Sequence, residues 1–197
     1  IQPKSDVESP AGKSVPLTRA PTPQEIDWRE HGVEVVLDAT GKFRRRDLAA
    51  GHLRDPGGSV RQVVVSATMP DPDVTVCLGI NDRDLAPAWQ RVISNASCTT
   101  NCLAPLLLVL DRSFGVEHAL MNTVHCVTNS QNLVDNAHPD PRRARSALAN
   151  IIPTTSDAIP SIVQVMPEMA GRVEGLAMRV PVVAGSLVDL TVSLVRP

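Results

Sequence analysis

Short apolar runs alternate with polar turns in the first half of the chain. Four of these runs predict buried strands, at residues 33–38, 60–66, 74–80 and 91–94. A helical pattern over residues 44–52 lies between the first two runs. Continuous apolar strands with a helix between them are typical of a parallel sheet that is covered on both faces. Ligands of such sheets bind beyond the carboxyl ends of the strands.

The apolar pattern changes after residue 98. Residues 99–114 predict a long helix, which we expect to lead into a second domain. Strands are predicted at residues 118–125, 175–180 and 186–195, and the last of these alternates as a half-buried antiparallel strand does. Residues 159–169 predict a short helix, because Pro160 can occupy a first turn. The whole pattern predicts an α/β plus α+β fold, in which a partial Rossmann-like parallel sheet precedes a mixed or antiparallel sheet.

The first residues predict little regular structure. Residues 1–28 are rich in proline, serine and threonine, and they predict loops with one short strand at residues 14–18.

Composition narrows the class of protein. The chain has 197 residues, of which 43% are hydrophobic and only 2% aromatic, so its core is expected to be aliphatic. The net charge of -2 predicts neither a nucleic-acid partner nor an anionic membrane surface. No apolar run has the length of a membrane span. The four cysteines lack the spacing of a disulfide framework, which favours a reducing, cytoplasmic location.

One cysteine lies in a setting that favours chemistry. Residues 94–102 have the sequence SNASCTTNC and directly precede an apolar run. Ser97 is suited to cap a helix, which places Cys98 in the first turn. There the helix dipole and the free N–H groups favour the thiolate, which is the nucleophilic form. An arbitrary cysteine is more often a small buried core residue. The polar, capped setting of Cys98 favours a nucleophile instead.

The same nine residues resemble the active-site signature of the phosphorylating glyceraldehyde-3-phosphate dehydrogenases and their close relatives. The resemblance extends without gaps from about Val33 to the carboxyl terminus. It implies that Cys98 is the catalytic cysteine. His125 closes the sequence TVH and matches the catalytic histidine of the family. A lone histidine in a strand is otherwise more often a packed or surface residue.

The resemblance also implies a nicotinamide cofactor, NAD or NADP. Thr40, Gly41 and Ser66 follow two predicted strands and match positions that line the nicotinamide side of the cofactor pocket. Their spacing alone favours ordinary turns, and it is the resemblance that favours a cofactor site. After Asp135 the chain has the small residues NA, where some family members have the bulkier LP. We therefore expect the pocket to admit NADP as well as NAD.

Two anion sites are implied for a phosphorylated aldehyde and for inorganic phosphate. By resemblance, Thr128 and Arg179 hold the substrate phosphate. The attacking phosphate is expected at Ser97, Thr99, Ser156 and Arg145, unless the two anions exchange roles. Asp157 stands at this second site where the family has glycine, and a carboxylate there would repel an anion.

A metal site is not predicted. Cys98, Cys102, His125 and Cys126 would be the ligands, but they include no C-x-x-C pair.

The resemblance divides the chain at residue 97. Residues 1–97 are expected to be the carboxyl-terminal part of an NAD(P)-binding Rossmann-like domain, and residues 98–197 a catalytic domain truncated at its carboxyl terminus. No G-x-G-x-x-G motif is present. We therefore expect an internal fragment that is inactive alone and belongs to a homotetramer when full length.

The implied reaction is the oxidation of a phosphorylated aldehyde to an acyl phosphate, as in glycolysis or gluconeogenesis. Three alternatives stay open: an erythrose-4-phosphate dehydrogenase, an arsenate-linked paralogue, and a catalytically silent binding protein derived from a dehydrogenase. Asp157 and the missing glycine-rich turn favour the silent protein. The presence of both Cys98 and His125 argues against it.

Overall fold

The computed structural model of the protein describes residues 5–8, 12, 14–54 and 58–196. The chain forms two compact units. Unit 1 comprises residues 1–74 and 85–95, and unit 2 comprises residues 75–84 and 96–197. None of the described helices has the length and apolar character needed to cross a bilayer.

Unit 1 begins with an antiparallel pair of strands, β1 (Ser5–Glu8) and β2 (Ser14–Leu17). The short strand expected at residues 14–18 is present, and its partner β1 was not predicted. Two 3₁₀ turns, Pro23–Glu25 and Arg29–His31, follow β2.

A sheet with parallel strands forms the centre of unit 1. Its strands in this unit are β3 (Val35–Asp38), β4 (Gln62–Val65) and β6 (Val92–Ser94). The two-residue strand β5 (Val74–Thr75) falls at the boundary between the two units, and the spatial order is β3-β4-β6-β5. β3 pairs with β4, and β4 with β6, in parallel. Helix α1 (Arg46–Ala49) continues as a 3₁₀ turn at Ala50–Arg54, where one longer helix was predicted. Valines on the buried face, including Val63 and Val92, form an aliphatic core.

Two expectations about these strands are wrong. β3 is not buried on both faces, because Val35 and Leu37 are 54% and 67% exposed. A parallel strand is buried on both sides only where elements pack on both. β5 ends at Thr75 rather than Ile80. The Asn81 side chain accepts a hydrogen bond from the Cys77 N–H at 2.9 Å and donates one to the Thr75 carbonyl at 2.8 Å, and these bonds hold the backbone in a turn.

Unit 2 combines two helices with a mixed sheet. Helix α2 (Cys98–Phe114) leads into the long strand β7 (Val116–Cys126). The remaining elements are β8 (Ile152–Thr154), α3 (Ala158–Val165), β9 (Val173–Val180) and β10 (Ser186–Leu194). The helix predicted at residues 159–169 is divided into α3 and a 3₁₀ turn at Pro167–Met169.

The sheet of unit 2 has the order β10-β7-β9-β8. β7 and β9 are parallel, whereas β10 and β8 pair with them antiparallel. Leu103 and Leu107 from α2, Met121 from β7 and Ile162 from α3 are fully buried in one aliphatic core. The structure therefore confirms the predicted fold class, a parallel sheet followed by a mixed sheet.

Helix α2 offers a matched pair of leucines for testing this core. Leu107 is 0% exposed, whereas its neighbour Leu106 is 45% exposed. We expect Leu107→Ala to lower the free energy of unfolding by roughly 2–5 kcal/mol, because the lost methyl groups leave a cavity. Leu106→Ala should cost less than about 1 kcal/mol. Denaturant unfolding followed by circular dichroism measures both, and equal losses would contradict the packing of α2.

Candidate active site

The amino terminus of α2 is built around Ser97. The Ser97 backbone is extended, and its hydroxyl oxygen accepts a hydrogen bond from the Thr100 N–H at 2.9 Å. This is the N-cap geometry that the sequence predicts, and it makes Cys98 the first helical residue. The preceding Ala96 has a φ of 57°, which is costly for a residue other than glycine and is often found near functional sites.

Cys98 meets a histidine from a different element. Its Sγ atom lies 3.5 Å from Nε2 of His125, the next-to-last residue of β7. Side chains alternate along β7, so Thr123 and His125 share the buried face, and His125 is only 8% exposed. Cys98 itself is exposed. An accessible thiol therefore faces a buried imidazole, as a nucleophile and its base do.

A third residue, Arg179, completes this cluster from β9. The parallel register places Arg179 directly beside His125. Its Nη1 atom lies 2.6 Å from His125 Nδ1 and donates to the Cys126 carbonyl at 2.9 Å. Burial lowers the pKa of Arg179, and the thiolate forms of Cys126 and Cys98 would oppose this effect. Sequence reasoning assigned Arg179 to a phosphate and missed its contact with His125.

The other cysteines differ from Cys98 in their surroundings. All four are free thiols. Cys77 is buried, and burial together with the negative charge of Asp82 raises the pKa of its thiol. Cys102 is exposed one turn along α2, and Cys126 is partly buried. No group of His, Cys, Asp and Glu side chains in the described ranges is arranged to hold a metal ion.

Besides Arg179 on β9, the residues predicted to hold phosphates fall at three further places in unit 2. Ser97 and Thr99 flank Cys98, and the Thr99 side chain is buried. Ser156 lies just before α3, where its hydroxyl oxygen accepts from the Ala158 N–H at 3.2 Å. Asp157 is the N-cap of α3, but it is exposed and its side chain makes no capping bond.

Thr128 and Arg145 lie in the long loop after β7. The Thr128 N–H and hydroxyl both donate to the side-chain oxygen of Gln131, a residue that is 4% exposed and that sequence reasoning missed. Arg145 forms an ion pair with Asp135, with an Nε–Oδ2 distance of 3.2 Å and both side chains mostly exposed. The pKa of Asp135 is lowered by its hydrogen bonds with the Ser146 N–H and with Arg145.

Three residues predicted to bind a cofactor meet at one edge of unit 1. Thr40 and Gly41 follow β3, Ser66 follows β4, and these two strands are adjacent. All three residues are exposed. The buried Asp38, which sequence reasoning missed, shapes this edge by accepting from the Thr40 N–H at 2.9 Å and from its hydroxyl at 2.7 Å.

These features define a class of site in unit 2: an exposed cysteine thiol in contact with a buried histidine at the start of a helix. Unit 1, described by itself, is a parallel α/β sheet with a polar edge. Comparison with known proteins shows the family of the chain. The model of the family described as "Glyceraldehyde 3-phosphate dehydrogenase, C-terminal domain" matches residues 97–197. The glyceraldehyde-3-phosphate dehydrogenase of Pseudomonas aeruginosa is 48% identical over 185 residues, which cover 94% of this chain and 54% of that protein.

Further relatives give the same result. The glyceraldehyde-3-phosphate dehydrogenase of Mycobacterium avium is 49% identical over 175 residues, covering 89% of this chain and 50% of the relative. Glyceraldehyde-3-phosphate dehydrogenase 2 of Bacillus subtilis is 45% identical over 183 residues, which cover 93% of this chain and 53% of that relative. The chain belongs to the glyceraldehyde-3-phosphate dehydrogenase family, and it spans about half the length of the curated relatives it matches.

Proposed function

We propose that the whole protein is an oxidoreductase that converts a phosphorylated aldehyde to an acyl phosphate, using NAD or NADP and inorganic phosphate. The observation that carries this proposal is the 3.5 Å contact between Cys98 Sγ and His125 Nε2 at the start of α2. The family of the chain supports it, because the relatives are named for glyceraldehyde-3-phosphate dehydrogenase.

The chemistry follows from this pair. The Cys98 thiolate attacks the aldehyde carbon and forms a thiohemiacetal. His125 accepts the hydroxyl proton as the carbon is oxidised, which leaves a thioester on Cys98. When bound, the nicotinamide cofactor supplies the acceptor for the hydride. A phosphate oxygen then attacks the thioester carbon, the carbon–sulfur bond breaks, and the Cys98 thiolate is regenerated. Free N–H groups at the start of α2 can stabilise the oxyanion that each attack creates.

Two groups of residues would hold the anions. Thr128 and Arg179 are proposed for the phosphate of the aldehyde. Ser97, Thr99, Ser156 and Arg145 are proposed for the attacking phosphate. Asp157 adds a negative charge here, but its exposure to water lets solvent screen the repulsion.

The cofactor is proposed to bind at the polar edge of unit 1. Thr40, Gly41 and Ser66 are exposed there and present hydroxyl and backbone groups. Gly41 has a φ of 69°, which lets the turn after β3 form without steric cost. This assigns residues 1–97 to NAD(P) binding and residues 98–197 to catalysis. The small residues after Asp135 support acceptance of NADP beside NAD.

We propose a homotetramer for the whole protein. The outer face of the unit 2 sheet supports contact with a second copy, because it carries the exposed side chains of Leu120, Leu176 and Leu187. The four free cysteines fit the reducing interior of a cell, and we propose a cytoplasmic location.

Selective alkylation tests the proposed nucleophile directly. We expect iodoacetamide at pH 7 to modify Cys98 at least about tenfold faster than Cys102, because an unactivated thiol is only a few per cent thiolate at that pH. Both thiols are exposed, so access does not explain such a difference. Peptide mass spectrometry of the full-length protein against time gives both rates. Equal, slow modification of the two thiols would instead support a catalytically silent protein.

A further inference from the structure

The Nδ1 atom of His125 has two neighbours that require opposite protonation states. Arg179 Nη1, at 2.6 Å, can only donate a hydrogen bond, so it requires a lone pair on Nδ1. The Cys126 carbonyl oxygen, at 2.8 Å, can only accept one, so it requires a proton on Nδ1. A single nitrogen cannot satisfy both neighbours.

The position of Arg179 resolves this conflict in the structure as it stands. The same Nη1 atom donates to the Cys126 carbonyl at 2.9 Å, so that oxygen does not depend on a proton from Nδ1. A proton on Nδ1 would face the guanidinium at 2.6 Å, donor against donor, so Nδ1 is left as an acceptor from Arg179. In a neutral imidazole the ring proton must therefore be on Nε2, the nitrogen that faces Cys98 Sγ at 3.5 Å.

This tautomer is unsuited to a base. An Nε2–H group can donate to a thiolate, but it has no lone pair with which to accept a proton from the thiol or from a substrate hydroxyl. The base-competent tautomer carries its proton on Nδ1, where an arginine N–H cannot approach it closely. Arg179 must leave Nδ1 before His125 can act at Nε2.

We propose that Arg179 is a positioning residue that holds His125 in the Nε2–H tautomer until a phosphate-type anion draws the guanidinium away. Once Arg179 turns to the anion, the Cys126 carbonyl loses the guanidinium as its hydrogen-bond donor. Nδ1 then gains a proton and becomes the new donor to that carbonyl. The proton leaves Nε2 and one is taken up at Nδ1 through solvent, so the net charge of the imidazole is unchanged. Binding of the anion thereby gives His125 a lone pair on Nε2, with which it can act as a base.

The surroundings of Arg179 favour the movement of its guanidinium from Nδ1 to an anion. Its Nε atom is buried and has no hydrogen-bond partner in the described part of the chain. Burial disfavours its charge and lowers its pKa, and an anion that accepts two parallel N–H bonds would offset that cost. The titratable groups that interact electrostatically with Arg179 are Cys98, Cys126, Arg143 and Asp157. Arg143 is already bound to the Thr154 hydroxyl at 2.7 Å, so Arg179 is the cation in contact with the imidazole.

Nitrogen NMR tests the proposal without any turnover. The full-length protein is labelled with ¹⁵N-histidine, and His125 is assigned by comparison with His125→Asn. In the absence of anions, we expect Nδ1 to resonate as an unprotonated nitrogen and Nε2 as a protonated one. Saturating inorganic phosphate should exchange these two assignments. Glycerol 3-phosphate, in a separate arm, shows whether a phosphomonoester does the same, and a response to either anion supports the proposal. Unchanged assignments with both anions would overturn it.

Two controls sharpen this measurement. His138 is an internal reference, because its Nδ1 lies against the backbone of Asp140, 2.9 Å from the N–H and 3.1 Å from the carbonyl oxygen. A change that depends on Arg179 should leave the two nitrogen assignments of His138 unchanged. Arg179→Gln should show the Nδ1–H tautomer without anion and no response to phosphate. If this variant does not fold, the titration of the unmodified protein decides the matter alone.

This inference rests on the proposed function, since it assigns a phosphate to Arg179, but the two can fail separately. An exchange of tautomers in a protein that oxidises no aldehyde would support the inference and overturn the proposed reaction. Aldehyde oxidation without the exchange would overturn the inference and leave the reaction standing.

Discussion

Replacing Cys98 by serine should lower kcat for aldehyde oxidation by the full-length protein by roughly 10⁴-fold or more, as loss of a covalent nucleophile does in other enzymes. Serine keeps the size of the side chain and the N-terminal position on α2. Its hydroxyl does not ionise near neutral pH, so neither the thiohemiacetal nor the thioester can form at a useful rate. Steady-state kinetics with a phosphorylated aldehyde, NAD and phosphate measure the effect.

Cys102 provides the matched control for this prediction. It is an exposed free cysteine on the same helix, one turn beyond Cys98. Cys102→Ser makes the same chemical change away from His125, and we expect kcat to stay within about twofold, since surface substitutions are usually near neutral. Cys98→Ser activity within tenfold of the unmodified protein would show that another group is the nucleophile. Equal losses in both variants would indicate damage to α2 rather than loss of the thiolate.

The local chemistry of the chain predicts the position of Cys98 at the start of α2 well. Ser97 and Cys98 are adjacent in sequence, and a capping hydroxyl fixes the start of a helix through bonds within one turn. The length of α2 follows from its apolar pattern, and its end at Phe114 agrees with the following Gly115, which has a φ of 72°. Such features need no knowledge of distant residues.

The errors have equally physical causes. An apolar pattern extends from Val74 to Ile80, but Asn81 bonds to the backbone at Thr75 and Cys77 and ends the strand early. A side chain that bonds to nearby backbone competes with the sheet ladder, and an apolar pattern does not reveal it. The prediction that β3 is buried on both faces failed for a different reason. A run of valine and leucine shows that a strand favours burial, not which of its faces other elements cover.

The arrangement around His125 depends on residues that are far apart in the sequence. The pairing of His125 with Arg179 follows from the parallel register of β7 and β9. In the sequence, both residues occur near the ends of apolar strands, and this position is the only local feature that indicates they could meet. The register itself is set by packing over the whole sheet, so the contact between the guanidinium and Nδ1 could not be derived locally.

His125→Asn is the second substitution for which we expect a large effect. It should lower kcat by about 10²–10⁴-fold, the range that a positioned general base supplies. Asparagine retains polar atoms in a similar volume, so the fold of β7 should survive. It cannot accept the hydroxyl proton when the thiohemiacetal is oxidised. The KM for the aldehyde should change much less than kcat, because the lost interaction belongs to the transition state.

A matched control separates the loss of a base from a structural effect. His138→Asn makes the same chemical change in the loop after β7, away from Cys98, and should keep kcat within about twofold, since surface substitutions are usually near neutral. Equal losses in the two variants would indicate a structural effect of the substitution rather than the loss of a base. Unchanged kcat in His125→Asn would show that His125, although 3.5 Å from Cys98, transfers no proton in the rate-limiting step.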